Sequence, residues 1–592
     1  MTLRALALCL LLAGPLLPQA ARRSATTRPV LRGREYAVSS MKPEATQVAE
    51  RILRAGGNAF DAAVAGQAVL GLVDAANNGV GADAVLLVYD AAGKKPFSIN
   101  AEGTAPRLAT IEWFQKNQGG KIPVSDTLLS GTVPGVVDAW YTLLDRWGTM
   151  TFAQVLAPAI EMAERGFPLN DRLAGALAGS KKLRKYPSSA RVYYPGGRTW
   201  KAGDIGANPD LAATLKKLVD AEREAAPRGR RAALRAARDR FYKGDIAREM
   251  AQFSEQNGGL FRYEDFAAFT AKVEEPVAFE YRGYQVLKNP SATQGPAELF
   301  ALNILETFNL QKMGHNSPEY IHAGVEAIKL AFADRDQYLG DMDFIQIPYA
   351  ALLSKEYGRA RATLIGEKAS LEFRPGKPAG VTIDRPRDIN FVDEKGDGGD
   401  TSYLTVVDSA RNVVSFTPSL HTAFGTNVVM GRLGFSFNCR GDYYNLKPGH
   451  ANALEPGKRP RSTLQSTLVL RDGLPVLVTG SPGGDDQCMR TMQTFLNIVE
   501  FGMNVQQAIE APRWSTRSFP QSYFPHTMYP GEMTVEDRIP EAVRAALRSK
   551  GHNLRVAGPW SLGANAAIAI DWTGGVLSAG ADPRCDAYAL AW

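Results

Sequence analysis

A threonine at the junction between a glycine-rich stretch and a strand-like segment is the residue most able to do chemistry in this sequence. The run GDGGDTSYLTVVDSARNVVSF, residues 396–416, places the junction at Asp400 and Thr401. A threonine hydroxyl is a poor nucleophile until a base removes its proton, and a threonine at a chain terminus carries that base in its own α-amine. Such an amine has a pKa of about 8. Thr401 gains a free amine only if the Asp400–Thr401 bond is cut.

The residues before Thr401 suit such a cut. A loop rich in glycine lets the carbonyl of Asp400 bend back onto the threonine hydroxyl, so we interpret the junction as a self-cleavage site. On local sequence alone, glycines before a strand more commonly mark an ordinary loop. The choice between these two interpretations depends on motifs in the rest of the sequence.

The periodicity of the apolar residues changes at this junction, from helical spacing to strand-like alternation. Residues 41–75 have apolar positions at helical spacing around Gly56 and Gly57, which predicts two helices joined by a tight turn. Further helical patterns are FAQVLAPAIEMAERG, AELFALNILETF and YIHAGVEAIKLAFADRDQYLG. From Thr401 onward the patterns predict strands: TSYLTVVD, NVVSFTP, STLVLRD, PVLVTGS, AAIAIDW and VLSAGAD. A helix-rich part followed by a strand-rich part predicts an α+β layered protein, with residues 373–400 as an exposed connection.

Composition narrows the class of protein. The 592 residues are 45% hydrophobic and 22% charged, which is typical of a globular protein and excludes disordered and collagen-like classes. The net charge of +7 is modest for this length. Much of the basic excess lies in RGRRAALRAARDR, residues 228–240, which predicts one solvated helix face. Without an aromatic platform or a recognisable module beside that run, we expect no nucleic-acid partner.

The first residues have the layout of a secretory signal peptide. MTLRALALCLLLAGPLLPQAARR has an early arginine, an apolar run from Ala5 to Leu17, and small residues at Ala20 and Ala21. The apolar run is too short to span a bilayer comfortably. We therefore expect residues 1–21 to be removed and the mature protein to be periplasmic or secreted, without a membrane anchor.

The cysteines and histidines give little sign of a disulfide framework or a metal. The mature chain keeps Cys439, Cys488 and Cys585, an odd number without a CxxC pair, so a framework is not expected while one bridge stays possible. None of the six histidines has HExxH spacing, which argues against a catalytic zinc ion. We expect neither a metal nor a cofactor.

Motifs along nearly the whole mature chain resemble the γ-glutamyltranspeptidase family of N-terminal nucleophile hydrolases. The motifs are GGNAFDAAVA (56–65), SGTVPGVVDAW (130–140), YRGYQVLKNPSATQGP (281–296), ADRDQYLGD (333–341), DTSYLTVVD (400–408), FGTNVV (424–429), GKRPRSTLQSTLVL (457–470), VTGSPGG (478–484) and ADPR (581–584). The resemblance implies a precursor that cuts itself before Thr401. A large, helix-rich chain (22–400) and a small, strand-rich chain (401–592) would then associate as a heterodimer in one four-layer αββα sandwich.

The resemblance also assigns catalytic roles. Thr401 is the expected nucleophile for both processing and turnover. Ser419, in SFTPSL, matches the hydroxyl that orients the nucleophile, although a serine at a strand end is equally a local backbone partner. Gly483 and Gly484 match the glycines whose backbone N–H groups form an oxyanion hole, a stabilisation of about 3 to 4 kcal/mol for one donor. The alternative for these glycines is a plain tight turn.

The residues expected to bind the acyl group depart from the family pattern. The arginine that holds the substrate's α-carboxylate falls on Glu102, where a carboxylate repels that group. The acid that holds the α-amine falls on Tyr443, with Asp442 one residue away, and a neutral amide position falls on Arg440. Arg440 is then either a new partner for a substrate carboxylate or the ion-pair partner of Glu102.

Three more positions belong to the same pocket. His421 stands where the family has asparagine or a similar residue. Ser462 and Thr463 keep the hydroxyls that contact the substrate's carboxylate. The pocket therefore looks rewritten around an intact catalytic centre.

Three functions compete on this sequence. The first is a secreted, self-processing amidohydrolase or acyltransferase that acts on a small-molecule amide or peptide whose acyl group is not γ-glutamyl. The second is a true γ-glutamyltransferase or glutathione hydrolase, with Asp442 and Arg440 acting from shifted positions. The third is a non-catalytic binding protein on the same scaffold, which the retained Thr401, Gly483 and Gly484 disfavour.

Overall fold

Two seven-stranded sheets lie face to face at the centre of the molecule. A computed structural model describes residues 26–391 and 400–592, so the signal peptide predicted for residues 1–21 lies outside the described residues. The strands are β1 (Leu31–Gly33), β2 (Ala37–Ser40), β3 (Asp83–Asp90), β4 (Lys95–Ala101), β5 (Phe167–Pro168), β6 (Ile205–Gly206), β7 (Lys272–Glu274), β8 (Val277–Tyr281), β9 (Tyr284–Lys288), β10 (Leu404–Val407), β11 (Val413–Ser419), β12 (Thr467–Arg471), β13 (Leu474–Gly480), β14 (Trp514–Thr516), β15 (Glu532–Glu536), β16 (Asn553–Ala557), β17 (Ala566–Asp571), β18 (Val576–Ala581) and β19 (Tyr588–Ala591).

Both central sheets are antiparallel throughout. The first sheet has the order β1-β18-β17-β13-β12-β9-β8. The second has the order β19-β2-β10-β11-β3-β4-β7. Two smaller sheets, with the strand orders β14-β15-β16 and β5-β6, are separate from the two central sheets.

Helices cover the outer faces of the two sheets. They are α1 (Pro43–Arg54), α2 (Ala59–Val73), α3 (Ile111–Gln118), α4 (Val136–Arg146), α5 (Phe152–Arg165), α6 (Asp171–Gly179), α7 (Lys181–Lys185), α8 (Pro187–Tyr193), α9 (Pro209–Ala225), α10 (Arg230–Tyr242), α11 (Asp245–Gln256), α12 (Tyr263–Ala267), α13 (Gly295–Leu305), α14 (Leu310–Met313), α15 (Pro318–Tyr338), α16 (Tyr349–Leu352), α17 (Lys355–Ala362), α18 (Asp486–Val499), α19 (Val505–Glu510) and α20 (Glu541–Ser549). None of the helices in the described ranges is both long enough and apolar enough to cross a bilayer.

Three apolar cores hold the layers together. One joins α1, α2, α4 and α5 to the second sheet, and another joins α13, α15 and α18 to the first sheet. The third lies between the sheets, where Leu87 and Val407 of one meet Leu468 and Val478 of the other. Because an amphipathic sheet has to bury an apolar face, this layering follows from the strand patterns. The four-layer αββα sandwich predicted from the sequence is confirmed.

The first two helices follow the predicted turn. Gly56 has a φ of +90°, a conformation that glycine adopts without steric cost, and it separates α1 from α2. Asn58 then caps α2 by accepting the backbone N–H groups of Phe60 and Asp61. The predicted helix pair is therefore confirmed.

Strands are not confined to the part of the chain after Thr401. Three of the seven strands in the first sheet and four of the seven in the second precede Asp400 in the chain. The strand β3, DAVLLVYD, is buried along nearly its whole length, so it reads as an apolar run without alternation. The described helices α1 to α17 all precede Asp400, so the first part is helix-rich as expected, but both parts supply strands to the two central sheets. The cut at Thr401 stays a prediction.

The strand expected to begin at Thr401 begins later, at Leu404. Asp400 forms an isolated bridge with His421, and Ser402 donates its N–H to the carbonyl of Pro418 at 3.0 Å. The ladder between this segment and β11 is therefore irregular at Thr401. That irregularity leaves the threonine at the end of the strand and not inside a regular ladder.

Two smaller expectations can be compared with the structure. The basic run forms α10, whose arginines are largely exposed except Arg238, which is buried and pairs with Asp138 at 2.6 Å. Cys439, Cys488 and Cys585 are all free thiols. The single disulfide that the sequence left open does not form among them.

Candidate active site

Thr401 and Ser419 form a short hydrogen-bonded chain that ends on the Asp400 carbonyl, at the bond predicted to be cut. The Thr401 Oγ1 hydroxyl donates to Ser419 Oγ at 3.3 Å, and Ser419 Oγ donates to the Asp400 carbonyl oxygen at 2.8 Å. Ser419 is positioned as the last residue of β11, opposite Asp83 of β3. It also accepts the backbone N–H of His421 at 2.9 Å, so it is both the partner of Thr401 and a local backbone partner.

Gly483 and Gly484 form the turn between β13 and α18. Their φ angles of +103° and +59° lie in the region that favours glycine, and a methyl group on Gly483 collides with the Arg490 guanidinium. Among the described residues, neither backbone N–H has an acceptor, and both glycines line the cavity that Thr401 lines. The N-terminus of α18 follows at once and adds the positive end of its dipole. The turn can therefore stabilise a developing oxyanion.

A buried polar network supports this turn from behind. Gln294 donates its amide to the carbonyls of Thr463 at 2.8 Å and Gly484 at 3.1 Å. Arg335 bonds the Gln294 oxygen at 3.1 Å and pairs with Asp485. Burial opposes the charged form of Asp485, but Arg335 and a serine hydroxyl hold the pKa of this carboxyl below its usual range. Sequence analysis found the motifs that contain Gln294 and Arg335 but not this supporting role.

Gln487 is a further residue that the sequence analysis missed. Its side chain is fully buried, and its amide nitrogen donates to the carbonyls of Thr463 and Ser481 at 3.2 Å each. The same amide group lies 3.5 Å from Thr401 Oγ1. Its position in the first turn of α18, three residues after Gly484, is the signal that could have identified it.

A cavity of about 550 Å³ opens at Thr401. One part of its wall is cationic, with Arg172, Arg490 and Arg517. Arg490 pairs with Asp486 at 2.9 Å and Arg517 pairs with Glu532 at 2.6 Å. Arg172 is exposed and donates to the carbonyl of Arg584 at 3.0 Å, and it forms no ion pair with a described residue. A substrate with a negative charge therefore finds an available guanidinium at this wall.

The residues predicted to bind the acyl group lie elsewhere. All seven have a relative exposure of 0%, and none belongs to the described lining of the cavity at Thr401; they are Glu102, His421, Arg440, Asp442, Tyr443, Ser462 and Thr463. The structure brings them together, but in contact with one another and with neighbouring residues of the chain. We call this group the filled pocket.

Glu102 is hydrogen-bonded to one of the hydroxyls expected to bind substrate. Its carboxylate accepts a hydrogen bond from Ser462 Oγ. Its second oxygen, Oε2, has no hydrogen-bond partner in the described part of the chain. Burial and the nearby Asp83 raise the pKa of Glu102 well above its usual value. The protein's own carboxyl group therefore lies where a substrate carboxylate was expected.

Arg440 has a partner that neither alternative named. Its guanidinium pairs with Asp83 at 3.0 Å and donates to the Tyr443 hydroxyl at 2.9 Å. That hydroxyl contacts Thr463 Oγ1 at 3.0 Å, so the second expected substrate hydroxyl is also engaged. Of the two alternatives for Arg440, the ion pair with Glu102 does not form, since Asp83 is the partner of its guanidinium.

Asp442 faces a cation supplied by the protein. His421 Nδ1 lies 3.1 Å from Asp442 Oδ1 and 3.4 Å from Cys439 Sγ. Burial opposes a charged imidazole, but the neighbouring Asp442 and Cys439 raise the pKa of His421 to about 10. His421 therefore places positive charge where the amine of a γ-glutamyl group was expected.

This chain is similar to known proteins along most of its length. A family model described as Gamma-glutamyltranspeptidase matches residues 45–592. The glutathione hydrolase proenzyme of Escherichia coli (strain K12) is 35% identical, covering 94% of this chain and 91% of its own length. The acylase ACY 1 proenzyme of Pseudomonas sp. (strain SE83) is 30% identical over 93% of this chain and 92% of its own. The crystal structure of cephalosporin acylase from Bacillus halodurans has a TM-score of 0.84 at 30% identity, covering 98% of this chain and 99% of that one.

Proposed function

Because this chain belongs to the γ-glutamyltranspeptidase family, we propose that it is a self-processing N-terminal threonine amidohydrolase or acyltransferase whose acyl group is not γ-glutamyl. The filled pocket is the observation that carries the proposal, since its acid, base and hydroxyl groups are engaged within the protein. The predicted signal peptide supports a periplasmic or secreted enzyme.

Processing begins from the contacts already present around Asp400. Thr401 Oγ1 attacks the Asp400 carbonyl carbon, while Ser419, 2.8 Å from the carbonyl oxygen, donates to the developing negative charge. Collapse of the intermediate breaks the C–N bond, the proton lost by Oγ1 passes to the departing nitrogen, and an ester between Asp400 and Thr401 remains. Water then hydrolyses the ester, which frees the Asp400 carboxylate and gives Thr401 an α-amine. Two chains result, held in one fold.

Turnover uses the same hydroxyl with its new base. The α-amine of Thr401 removes the Oγ1 proton, and Oγ1 attacks the amide carbonyl of the substrate. The N–H groups of Gly483 and Gly484 stabilise the oxyanion, because they have no other acceptor among the described residues. The leaving amine takes the proton, and water or an acceptor amine then releases the acyl group.

The charged groups of the filled pocket and of the open cavity indicate which acyl group suits the enzyme. A γ-glutamyl group needs partners for both an α-amine and an α-carboxylate, and Asp442 and Ser462 are already engaged by His421 and Glu102. Arg172 offers an available guanidinium at the open cavity. A donor that carries a carboxylate and no α-amine, such as a glutaryl amide, suits this arrangement. The acylases among the relatives support a non-γ-glutamyl substrate.

The second candidate is a true γ-glutamyltransferase or glutathione hydrolase. The name of the relative from Escherichia coli favours it, as do the retained hydroxyls of Ser462 and Thr463. It requires Glu102, His421 and Tyr443 to leave their present partners when substrate binds.

A comparison of two substrates with the same leaving group separates the candidates. Purified, processed enzyme would be assayed with γ-glutamyl and glutaryl anilides, and kcat/KM compared. Loss of two charge-assisted contacts, each about 1.5 to 3 kcal/mol, predicts that the γ-glutamyl compound is hydrolysed about two to four powers of ten less efficiently than by a glutathione hydrolase. The glutaryl compound should be preferred. A tenfold preference for the γ-glutamyl compound would overturn the proposal.

A further inference from the structure

Two buried side chains, those of Cys439 and Asp442, approach the same ring nitrogen of His421, close to the proposed nucleophile. His421 Nδ1 lies 3.1 Å from Asp442 Oδ1 and 3.4 Å from Cys439 Sγ. The possible ligand atoms of all three residues lie within 4.8 Å of one another, and each side chain has a relative exposure of 0%. His421 follows Ser419 by two residues, so this cluster adjoins the hydrogen-bonded chain of Thr401.

The cluster has the residue types of a proton relay but not its geometry. A thiol, an imidazole and a carboxylate form a relay when the nucleophile and the acid bond opposite nitrogens of the ring. Here Sγ and Oδ1 both approach Nδ1, while Nε2 has no hydrogen-bond partner in the described ranges. A single Nδ1 proton satisfies only one of the two neighbours. Convergence of three electron-pair donors on one small volume is the geometry of a coordination site.

The carboxylate of Asp442 supplies an independent observation. Neither of its oxygens has a hydrogen-bond partner among the described residues, although the side chain is completely buried. Buried carboxylates in proteins are hydrogen-bonded, paired with well-aligned donors, or bound to a metal. Asp442 faces His421 without an aligned N–H donor, so a cation between the two residues satisfies it better than the imidazole alone.

We propose that His421 Nδ1, Cys439 Sγ and the Asp442 carboxylate bind a divalent transition metal ion of the zinc class. These are the three ligand types that zinc takes in proteins, with bonds of about 2.0 to 2.3 Å, which place neighbouring ligand atoms about 3.3 to 3.6 Å apart in a tetrahedron. The observed separations of 3.1 and 3.4 Å need only a small expansion. Binding displaces the thiol proton and any proton on Nδ1 into solution, and no oxidant or reductant is involved.

The other histidine-containing cluster of the described chain gives a comparison, because its carboxylate is already paired with two cationic side chains. His322, Glu326 and His552 also lie within reach of one ion. Glu326 is already paired with Lys329 and Arg374, and the two imidazoles bond each other at 2.8 Å. That carboxylate is paired with two cations, whereas Asp442 faces the His421 imidazole at 3.1 Å and has no aligned N–H donor among the described residues. The metal site is therefore assigned to the cluster beside the nucleophile.

A bound ion would tie two segments of the pocket together. His421 belongs to the segment that follows β11, whereas Cys439 and Asp442 belong to the turn that carries Arg440 and Tyr443. The ion would brace the filled pocket against the segment that positions Ser419. It would also keep Asp442 away from a substrate amine, whichever acyl group the enzyme accepts, so the inference does not depend on the proposed function.

The test uses full-length, processed protein freed of metal by a chelator. Zinc chloride alone would be titrated by calorimetry, and cobalt chloride would be followed by absorbance for the charge-transfer band of a thiolate ligand. We expect one zinc equivalent per chain pair, a cobalt–thiolate band, and a higher Tm with zinc than without it. Cys439→Ser should weaken zinc binding at least tenfold and abolish the band.

Cys488→Ser is the matched control, because Cys488 is equally buried but lies in an apolar core, with its thiol 3.6 Å from the carbonyl of Gln294. It should bind zinc like the unaltered protein. If Cys439→Ser does not fold, Asp442→Asn should show the same loss of affinity. No stoichiometric zinc binding by the unaltered protein, or equal binding by both serine variants, would overturn the inference. Thr401→Ala, which tests catalysis, should keep the metal, so failure of one proposal is distinguishable from failure of the other.

Discussion

The surroundings of Thr401 and the filled pocket belong to one fold, but the first lines an open cavity whereas the second is closed to solvent. Around Thr401 the structure leaves a cavity of about 550 Å³ and two backbone N–H groups without an acceptor among the described residues. In the filled pocket the expected substrate-binding groups have a relative exposure of 0% and contact other groups of the chain. Unsatisfied donors are costly, so their presence beside Thr401 marks a place where a ligand completes them.

This difference separates the chemistry of the enzyme from its specificity. The Thr401 hydroxyl, its hydrogen-bonded serine and the glycine turn lie together at one cavity as one unit, and changing them should stop the proposed reaction. The acyl-binding residues are a second unit that can be rearranged without touching the first. The four predictions below test how far these units are independent, beginning with the largest expected effect.

Replacing the nucleophile should abolish both processing and turnover. Thr401→Ala removes the hydroxyl that we propose attacks the Asp400 carbonyl, so the protein should remain one chain on a denaturing gel. The unaltered protein should give a new N-terminus reading Thr-Ser-Tyr-Leu. Thr405→Ala, in β10 and four residues further on, is the control and should still be cut. Cleavage of the Thr401→Ala protein at the same bond would remove Thr401 from the mechanism.

Altering the glycine turn should reduce turnover strongly while the protein still folds. Gly484→Ala forces a side chain into a φ of +59° and tilts the N–H groups, so kcat should fall by about 10² or more. Gly473→Ala is the matched control, because Gly473 also has a positive φ, of +77°, but lies in the turn between β12 and β13 with open space around it. Equal rates for the two variants in a steady-state assay would show that these glycines only form a turn.

Removing the charge of Asp442 should have little effect on a γ-glutamyl substrate. Its carboxylate already faces His421, so kcat/KM for a γ-glutamyl anilide should change by less than about threefold in Asp442→Asn. A carboxylate that bound the substrate amine would contribute about 1.5 to 3 kcal/mol, and its loss would lower kcat/KM by about 10- to 150-fold. A drop of that size would show that Asp442 binds the substrate amine, and it would favour the glutathione hydrolase interpretation.

The smallest expected effect concerns stability and pH. Burial and Asp83 raise the folded-state pKa of Glu102 above its unfolded value, so folding favours the protonated carboxyl group. The unaltered protein should therefore lose stability as the pH rises above about 4.3, the ordinary pKa of glutamate. Glu102→Gln keeps the shape without the ionisation, so its Tm should decline less between pH 5 and pH 8. Parallel Tm curves for the two proteins would show that Glu102 is ionised in the folded state.

The sequence predicted the nucleophile region better than the pocket. Motifs with fixed internal spacing identify Thr401 and the glycine turn, and helix-period patterns identify α1 and α2. Arg440 and its partner Asp83 are 357 residues apart, and no periodic pattern links them. Gln487 was missed for a related reason, since its role comes from a contact with Thr401 that only the packing of α18 creates. Pairings between distant polar residues depend on the completed fold.

The position of β10 in the second sheet sets an order of events for the molecule. This strand, which follows Thr401, lies between β2 and β11, and β11 in turn lies beside β3. The chain must therefore bring segments from its beginning and its second half together before the hydroxyl can reach the carbonyl of Asp400. Under the proposed self-cleavage, the cut would report that folding is complete, and a copy that stalls earlier would stay inactive as well as uncut. Strands from before and after Asp400 lie side by side in the same sheets, so neither proposed product could exchange with another molecule without unfolding.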